Sequence, residues 1–524
     1  MKRSLFIFIV SFLFIGSIHA EDHWTPAPPE NGDAVIQIYA QVEIDGQLQS
    51  SGDIEVAMFF DDECVYTTRV KSMYSGNFVG VKLSRTYCST VDCVYDGTPC
   101  NYQVTFKCYD HGSQTEYDEC PTTYTATGGI FTISPTENLV LEFNTCFKKE
   151  ILSYNGDGGY YFIASPVGQV NPENVTGMLD NNYDLYYFDQ EEPNELEWIN
   201  YKDANEGDYD LMPGKGYLYA NSEDLFLVFT GLPAYPTTTD VPVQLVKRAG
   251  VRLEGWNLVG NPYTVTAYID RPFYTMQEGG AEIMAETSTG PIGPMEGVFV
   301  LAAEDNEYLT FTTTEPESKG KGLFLDLSQD RGASTGLATI DRAIIRFGEG
   351  KCLPKFQLNS DNTKLYISQD GMDYALVNAE TQGEVPVSFV AAEDGTYTIS
   401  VVADGAEMNY LHLIDNMTDA DVDLLVSPSY SFEAKTTDAA NRFRLVFAAG
   451  VSTDSETFAF FSNGSFVISN DGPATLQMVD VTGRILSNEQ INGSCTKSFD
   501  AAAGVYMLRL VNGDNVKVQK VVVE

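Results

Sequence analysis

The sequence predicts an all-β protein built from tandem β-sandwiches, and three observations predict it. Apolar and polar residues alternate with period two along nearly every segment, the spacing of a strand with one buried face. The runs are short and are broken by Gly, Asn, Asp or Pro, the residues that close turns. Tyr and Phe stand at 30 each in 524 residues, and such rings suit a pleated surface better than a helix. No stretch sustains a helical period. Short strands with regular turn signals are the pattern of immunoglobulin-like sandwiches.

Residues 1–20 open with Lys2 and Arg3, run apolar from Leu5 to Ile15 and end on the small Ala20. That is the pattern of a secretory signal peptide cut between Ala20 and Glu21, too short for a membrane span. No Cys follows closely, which argues against a lipid anchor. No later stretch is long and apolar enough to span a bilayer, so the expectation is an exported chain that is not an integral membrane protein. Residues 21–33, EDHWTPAPPENGD, form a Pro-rich leader.

Residues 34–147 are the first sandwich, with AVIQIYAQVEI, DIEVAMFFDD, YQVTFKCYD and NLVLEF as its clearest strands. This module holds Cys64, Cys88, Cys93, Cys100, Cys108, Cys120 and Cys146, seven of nine cysteines. In an exported chain that density reads as disulfide stapling. There is no C-x-x-C and no histidine at zinc-ligand spacing, so a metal site is not expected. Seven is odd, and the connectivity stays open.

An internal repeat follows. YYFIASP (160–166) aligns with WNLVGNP (256–262), and PGKGYLYANSEDLFLVFTG (213–231) with GPMEGVFVLAAEDNEYLTFTT (293–313). Two copies of one β-module are read, at 148–245 and 246–348, packed side by side. Residues 349–447 form a further sandwich, from KLYISQ to RFRLVF. The small, polar AAGVSTDSE (448–456) is a linker. Residues 457–524 supply seven short strands and close on GVYMLRLVNGDNVKVQKVVVE, a hairpin whose Asn512-Gly513 step favours a tight turn.

The chain carries 31 basic and 74 acidic residues, a net charge of −43. Phosphate backbones are held by Lys and Arg, so nucleic acid is excluded as a partner, and anionic membrane surfaces with it. The acidity reads as solubility outside the cell.

Two catalytic motifs are absent from the sequence: there is no H-E-x-x-H and no phosphate loop. MPGKGY (212–217) reads as a turn followed by strands. Beyond the leader-proximal His23, read as solvated, stand His111 and His412. His111 has Asp110 and Asp118 as candidate neighbours. His412 alternates with Leu411 and Leu413 and reads as an ordinary strand residue. Asp419, Asp421 and Asp423 resemble the start of a calcium loop, but Leu424 stands where that loop needs Gly. No cofactor is expected; calcium at these aspartates is the one candidate. Carboxylate pairs could serve glycoside hydrolysis, but among so many acidic residues such pairs arise by chance. The binding candidate is the aromatic cluster Tyr183, Tyr186, Tyr187, Phe188, Trp198 and Tyr201, whose rings could stack on sugars or peptide side chains. Sandwich core is the competing reading of the same rings.

The last module resembles the type A C-terminal sorting domain of cargo for the type IX secretion system. DVTGRIL (480–486) and the closing hairpin carry the resemblance, through Asp480, Thr482, Gly483, Arg484, Gly504, Tyr506, Arg509, Gly513, Lys517 and Lys520. Glu524, where relatives often end in a basic residue, and Cys495 depart from the family pattern. The resemblance implies Sec export to the periplasm, recognition of the tail by the type IX machinery at the outer membrane, and release or display at the cell surface. VEIDG, IEVAMFFDDEC and YLHLIDNMTDADVDLL further upstream are similar to uncharacterised surface proteins with the same tail. The expected function is a non-enzymatic binding or adhesion protein with a glycan or protein ligand. A glycan-active hydrolase with a divergent carboxylate site, or a structural surface-layer component, are the alternatives.

Overall fold

The structure is a computed structural model that describes residues 22–28, 34–60, 63–76, 78–87, 102–117, 124–126, 130–153, 159–178, 182–191, 197–203, 209–277, 282–316, 321–330, 337–358, 361–449, 458–462, 464–470, 472–499, 502–513 and 515–523. Its regular structure is strand throughout, with helix limited among these residues to single 3₁₀ turns such as Pro135–Glu137 and Pro172–Asn174. The chain forms two compact units, residues 1–147 with 230–232, and residues 148–229 with 233–524. The signal-peptide cut at Ala20 and Glu21 lies outside the described residues.

The first unit is a two-sheet sandwich. Strand Ala34–Ile44 pairs antiparallel with Phe78–Tyr87 and parallel with Ile130–Ile133 and Val140–Phe143. Strand Ile54–Phe60 lies between Glu63–Arg69 and Tyr102–Asp110 in the second sheet. Alternation sends Ile36, Ile38, Ala40, Val42 and Ile44 into one core with Val56, Met58, Phe106 and Leu141. All seven residues of Ile54–Phe60 are buried, on both faces. The outer face is covered because the leader packs there: Trp24 lies edge-on to Phe59, and Arg85 donates to the carbonyls of Ala27 and Pro28.

In the second unit each repeat builds a four-stranded antiparallel sheet in the same order. The first runs Tyr160–Ala164, Gly216–Asn221, Tyr183–Phe188, Trp198–Asn200; the second runs Trp256–Gly260, Gly297–Leu301, Phe273–Met276, Ile283–Glu286. The copies meet through a reciprocal exchange. The Ala164 N–H donates to Met295 O at 3.1 Å, and the equivalent Gly260 N–H donates to Gly214 O at 3.0 Å. Ile163 bridges Glu296 just as Val259 bridges Lys215. Both turns need a positive φ at the residue after Pro: Gly214 sits at +84° and Met295 at +58°.

Strands Lys321–Asp330 and Leu337–Phe347 correct the expected end of the second repeat. They pair with each other and with Gly395–Asp404 and Met372–Ala379, and so join the sheet of the following module. At 10 and 11 residues they are too long for the short-stranded repeats. That module is an 11-stranded path of strands folded over one core, including Leu325, Ile345, Phe389, Tyr397, Leu413 and Phe443. The expected linker also begins later: Ala448 and Ala449 still belong to strand Phe443–Ala449, and residues 450–457 lie outside the description.

The last module has seven strands in two sheets, three (Ala459–Ser462, Ser465–Ile468, Cys495–Lys497) against four (Ile485–Asn492, Pro473–Asp480, Gly504–Asn512, Asn515–Val523). Phe458, Phe466, Leu476, Met478, Leu508, Leu510 and Val521 fill the space between. Tyr410, Val446 and Ala448 of the preceding module pack on Val467, and Tyr410 Oη lies 2.7 Å from Thr496 Oγ1.

Candidate functional site

The tail motif is a turn held by one carboxylate. Asp480 Oδ1 accepts the Thr482 N–H at 2.9 Å, the Thr482 hydroxyl at 2.6 Å and the Arg484 N–H at 3.0 Å; Oδ2 accepts from Arg484 Nε at 3.0 Å. These bonds hold the Asp480 carboxyl down at about 2. Gly483 takes φ +87° with open space around it, so its role is conformational. The Tyr506 hydroxyl donates to Ala502 O at 2.7 Å and anchors the approach to the strand that starts at Gly504. Asn512 pairs with Asn515, which places Gly513, at φ +59°, as the first residue of the two-residue loop. The hairpin turn is thus one step later than the Asn512-Gly513 reading.

The outer face of this four-stranded sheet is apolar with a few cations. Val505, Val516, Val518, Val522 and Ile485 are exposed on it. Lys520 faces Met507 across the final ladder, and Arg509 faces Val518. Alternation puts Lys517 on the other side with Gln519, which accepts the N–H groups of Phe458 and Ala459 at 2.6 and 2.7 Å and ties the two sheets together. Of the predicted motif residues, Asp480, Thr482, Gly483, Tyr506 and Gly513 build the fold, while Arg484, Arg509 and Lys520 offer side chains to solvent.

The aromatic cluster does not form one platform. Phe188 and Trp198 turn into the core against Phe299 of the second repeat, with centroids 5.0 and 6.0 Å away. Tyr183 is buried beside Tyr219, under Lys202 Nζ at 4.1 Å. Tyr186 is part-buried and its hydroxyl pKa is raised by that burial. Tyr187 and Tyr201 both pack edge-on to Tyr209, which stacks on Tyr217. A strand sends successive rings to opposite faces, so neighbouring aromatics cannot share one surface.

Tyr187 does reach an open cleft. A cavity of about 430 Å³ is lined by Tyr187, Asp189, Glu191, Lys215, Val243 and Leu258, among others. Lys215 Nζ lies 4.0 Å from the Tyr187 ring centroid, and burial lowers its pKa while Asp189 opposes the shift. The reciprocal position in the second repeat is Glu296, beside a cavity of about 460 Å³. There the carboxylate is engaged by Lys149 Nζ at 3.3 Å and the Gly293 N–H at 2.8 Å. The sequence places Lys215 in a turn, and its alignment with Glu296 is the signal that marks it.

His111 settles differently from the sequence reading, whereas His23 stays exposed: its ring stacks on Tyr109 at 3.8 Å, and its backbone N–H donates to Glu55 Oε2 at 2.9 Å. His111 Nε2 lies 2.5 Å from the same oxygen, while Asp110 instead accepts from Gly112 N–H and the Ser113 hydroxyl. Asp118 lies outside the described residues. Glu55 is fully buried and its Oε1 has no hydrogen-bond partner. One charge inside IEVAMFF was the signal for it. His412 Nδ1 pairs with Asp421 at 2.7 Å, and Asp423 accepts the Leu425 N–H. Asp419 sits in a turn at φ +57°. Among the described residues no group of three His, Cys, Asp or Glu is arranged to hold a metal.

Of the expected disulfide cysteines, Cys88, Cys93, Cys100 and Cys120 lie outside the described residues. Cys64 carries a free thiol. It lies opposite Phe59, whereas Cys108 lies opposite Val56 on the far side of the same strand. Two strand spacings and three residues separate them, roughly 14 Å, beyond any disulfide. Cys108 is buried in the core and Cys146 is part-buried.

Residues 462–524 match the family model described as Secretion system C-terminal sorting domain. The match supports a type IX secretion cargo and, with it, secretion to the cell surface through the type IX machinery. No curated protein matches the chain. Among solved structures, a biofilm associated protein's BSP domain matches over 91% of each chain at 11% identity with a TM-score of 0.15, a likeness that carries no argument. Among the described residues no helix is long and apolar enough to cross a membrane.

Proposed function

We propose that the chain is a non-catalytic binding protein displayed at the cell surface, delivered there by its sorting domain and binding through the seam between its two repeats. The signal peptide, cut between Ala20 and Glu21, supplies passage to the periplasm; the tail's outer face then docks on the outer-membrane machinery. Apolar side chains ringed by Arg484, Arg509 and Lys520 suit such docking on an otherwise anionic chain. The observation that carries the binding half is the open cleft at Lys215. The ligand is a glycan or a protein, and no cofactor takes part.

The test has two arms. Native cells producing the full chain, or the chain lacking 457–524, are fractionated and their termini sequenced by mass spectrometry. The full chain is expected at the surface and the truncated one in the periplasm; equal surface display of both would refute the delivery route. The purified full chain is then exposed to glycan and protein arrays and to hydrolase substrate panels. Binding without turnover is expected, and turnover would overturn the non-catalytic reading.

A further inference from the structure

The two repeats present the same turn to the seam with opposite charges, and only one of them is in a direct ion pair. Glu296 is closed by Lys149 and the Gly293 amide. Lys215 faces Tyr187 and has no carboxylate within ion-pair distance among the described residues. Two acids share the cleft lining without touching the ammonium: Asp189, whose Oδ1 accepts the Glu191 N–H and whose charge favours the protonated lysine, and Glu191, which pairs with Arg248. An ammonium taken partly out of water with no carboxylate in contact leaves room for an anion to reach it directly.

The floor of the cleft decides what kind of anion fits. Gln190 caps the strand edge there: its Nε2 donates to Val246 O at 2.8 Å and Trp256 O at 3.0 Å, and its Oε1 accepts the Gly255 N–H at 2.8 Å and the Arg248 N–H at 3.0 Å. Asn257 is engaged in the same way with Val246 and Gly255. The backbone groups of Val246, Arg248, Gly255 and Trp256 are taken, so an extended peptide cannot pair as a strand at that edge. A compact ring with one apolar face fits the walls of Val243 and Leu258, and the volume lies in the range of small-ligand sites.

We propose that this cleft binds a carboxylate-bearing sugar, a uronic acid residue of an acidic oligosaccharide, with its carboxylate against Lys215 Nζ. The proposal rests on the surface-binding reading and names its ligand class.

The experiment is calorimetric titration of the full chain with a galacturonate trisaccharide, a neutral galactose trisaccharide and a tripeptide with a free C-terminal carboxylate. The uronate is expected to bind, more weakly as salt rises. Lys215→Met and Lys215→Gln are each expected to lose about tenfold or more in affinity, the loss of one hydrogen bond to a charged group. Lys215→Arg keeps most of the affinity, and Glu296→Gln in the sister cleft changes nothing. Unaltered melting of each variant guards against misfolding. Equal binding of acidic and neutral sugars, uronate binding indifferent to Lys215, or tighter binding of the tripeptide each overturns the proposal. Array binding that persists in Lys215→Met defeats the proposal while sparing the surface-binding reading; a chain that binds nothing on any array defeats that reading itself.

Discussion

Lys355 Nζ lies 2.5 and 2.6 Å from the two carboxylate oxygens of Asp341, with the side chains 5% and 4% exposed. Asp341 also accepts the Leu365 N–H at 2.7 Å, so one carboxylate joins three segments of the large module. Burial raises the Asp341 pKa and lowers that of Lys355, and their mutual attraction opposes both shifts. Lys355→Met strands the carboxylate and is expected to cost about 3–5 kcal/mol. Adding Asp341→Asn, which keeps an acceptor for Leu365, should recover most of that loss. Urea unfolding of the single and double variants checks it; a double variant no more stable than Lys355→Met would mean the buried charge is not the cause.

The sequence made the sorting domain legible because its signals are local. Seven alternating runs, an Asp-x-x-Gly-Arg turn and a Gly-containing hairpin each act within a few residues, and the two-sheet module contains all of them. The repeat was legible too, because equal turns at Pro213 and Pro294 give equal strand orders. What escaped was set by distance along the chain. Glu55 meets His111 across 56 residues, and Asp341 meets Lys355 only after strands 337–347 leave the repeat for the next sheet. The tyrosines after Tyr183 are dense in sequence but divided in space, since the pleat sends Tyr187 to one face and Phe188 to the other. Density of a residue type along a strand says nothing about a shared surface.

Gly260 marks where the repeats touch. A Cβ added there would lie 2.4 Å from Ala164 Cβ and 2.6 Å from Lys215 O. Its φ is not in the left-handed region, so the obstacle is the neighbouring repeat and not the backbone. Gly260→Ala should therefore push the seam open and cost about 1–3 kcal/mol as an overpacked contact. Gly168→Ala, with no atom within 4 Å, is the matched control and should be near neutral. Thermal unfolding of both variants compares them directly, and equal midpoints would rule out the tight seam.

Thiol reactivity should rank by burial. Cys352 is exposed, whereas Cys64 and Cys495 are part-buried. Burial pushes the Cys64 thiol up to about 11 and raises that of Cys495 as well. The thiolate is the nucleophile, so at pH 8 both should alkylate slowly while Cys352 labels first. Peptide mapping after timed iodoacetamide treatment of the native chain reads each position. Cys64 labelling as fast as Cys352 would contradict the buried placement, and a Cys64 that never labels, even after denaturation without reductant, would reveal a disulfide.

Asp480 gives the tail a pH dependence whose sign follows from its hydrogen bonds. Free aspartate titrates near 3.9, and the folded turn lowers this to about 2 by donating to the ionised form. The unfolded chain thus binds the proton more readily, so the group's stabilisation is complete above the unfolded pKa and is lost as pH falls through the folded value. Between about 4 and 2 the turn should loosen while the rest of the module holds. NMR titration of the Asp480 carboxyl in the full chain should give a midpoint near 2, moved towards the free value in Thr482→Val, which removes the hydroxyl donor at 2.6 Å. A midpoint already at the free value in the unaltered chain would show that the turn does not close through this carboxylate. Asp480→Ala should then fold with a frayed 480–485 turn, seen as faster amide exchange at Gly483 and Arg484, whose N–H groups close that turn. If surface delivery in cells also falls, the geometry of the turn, and not only the charge of Arg484, is what the secretion machinery reads.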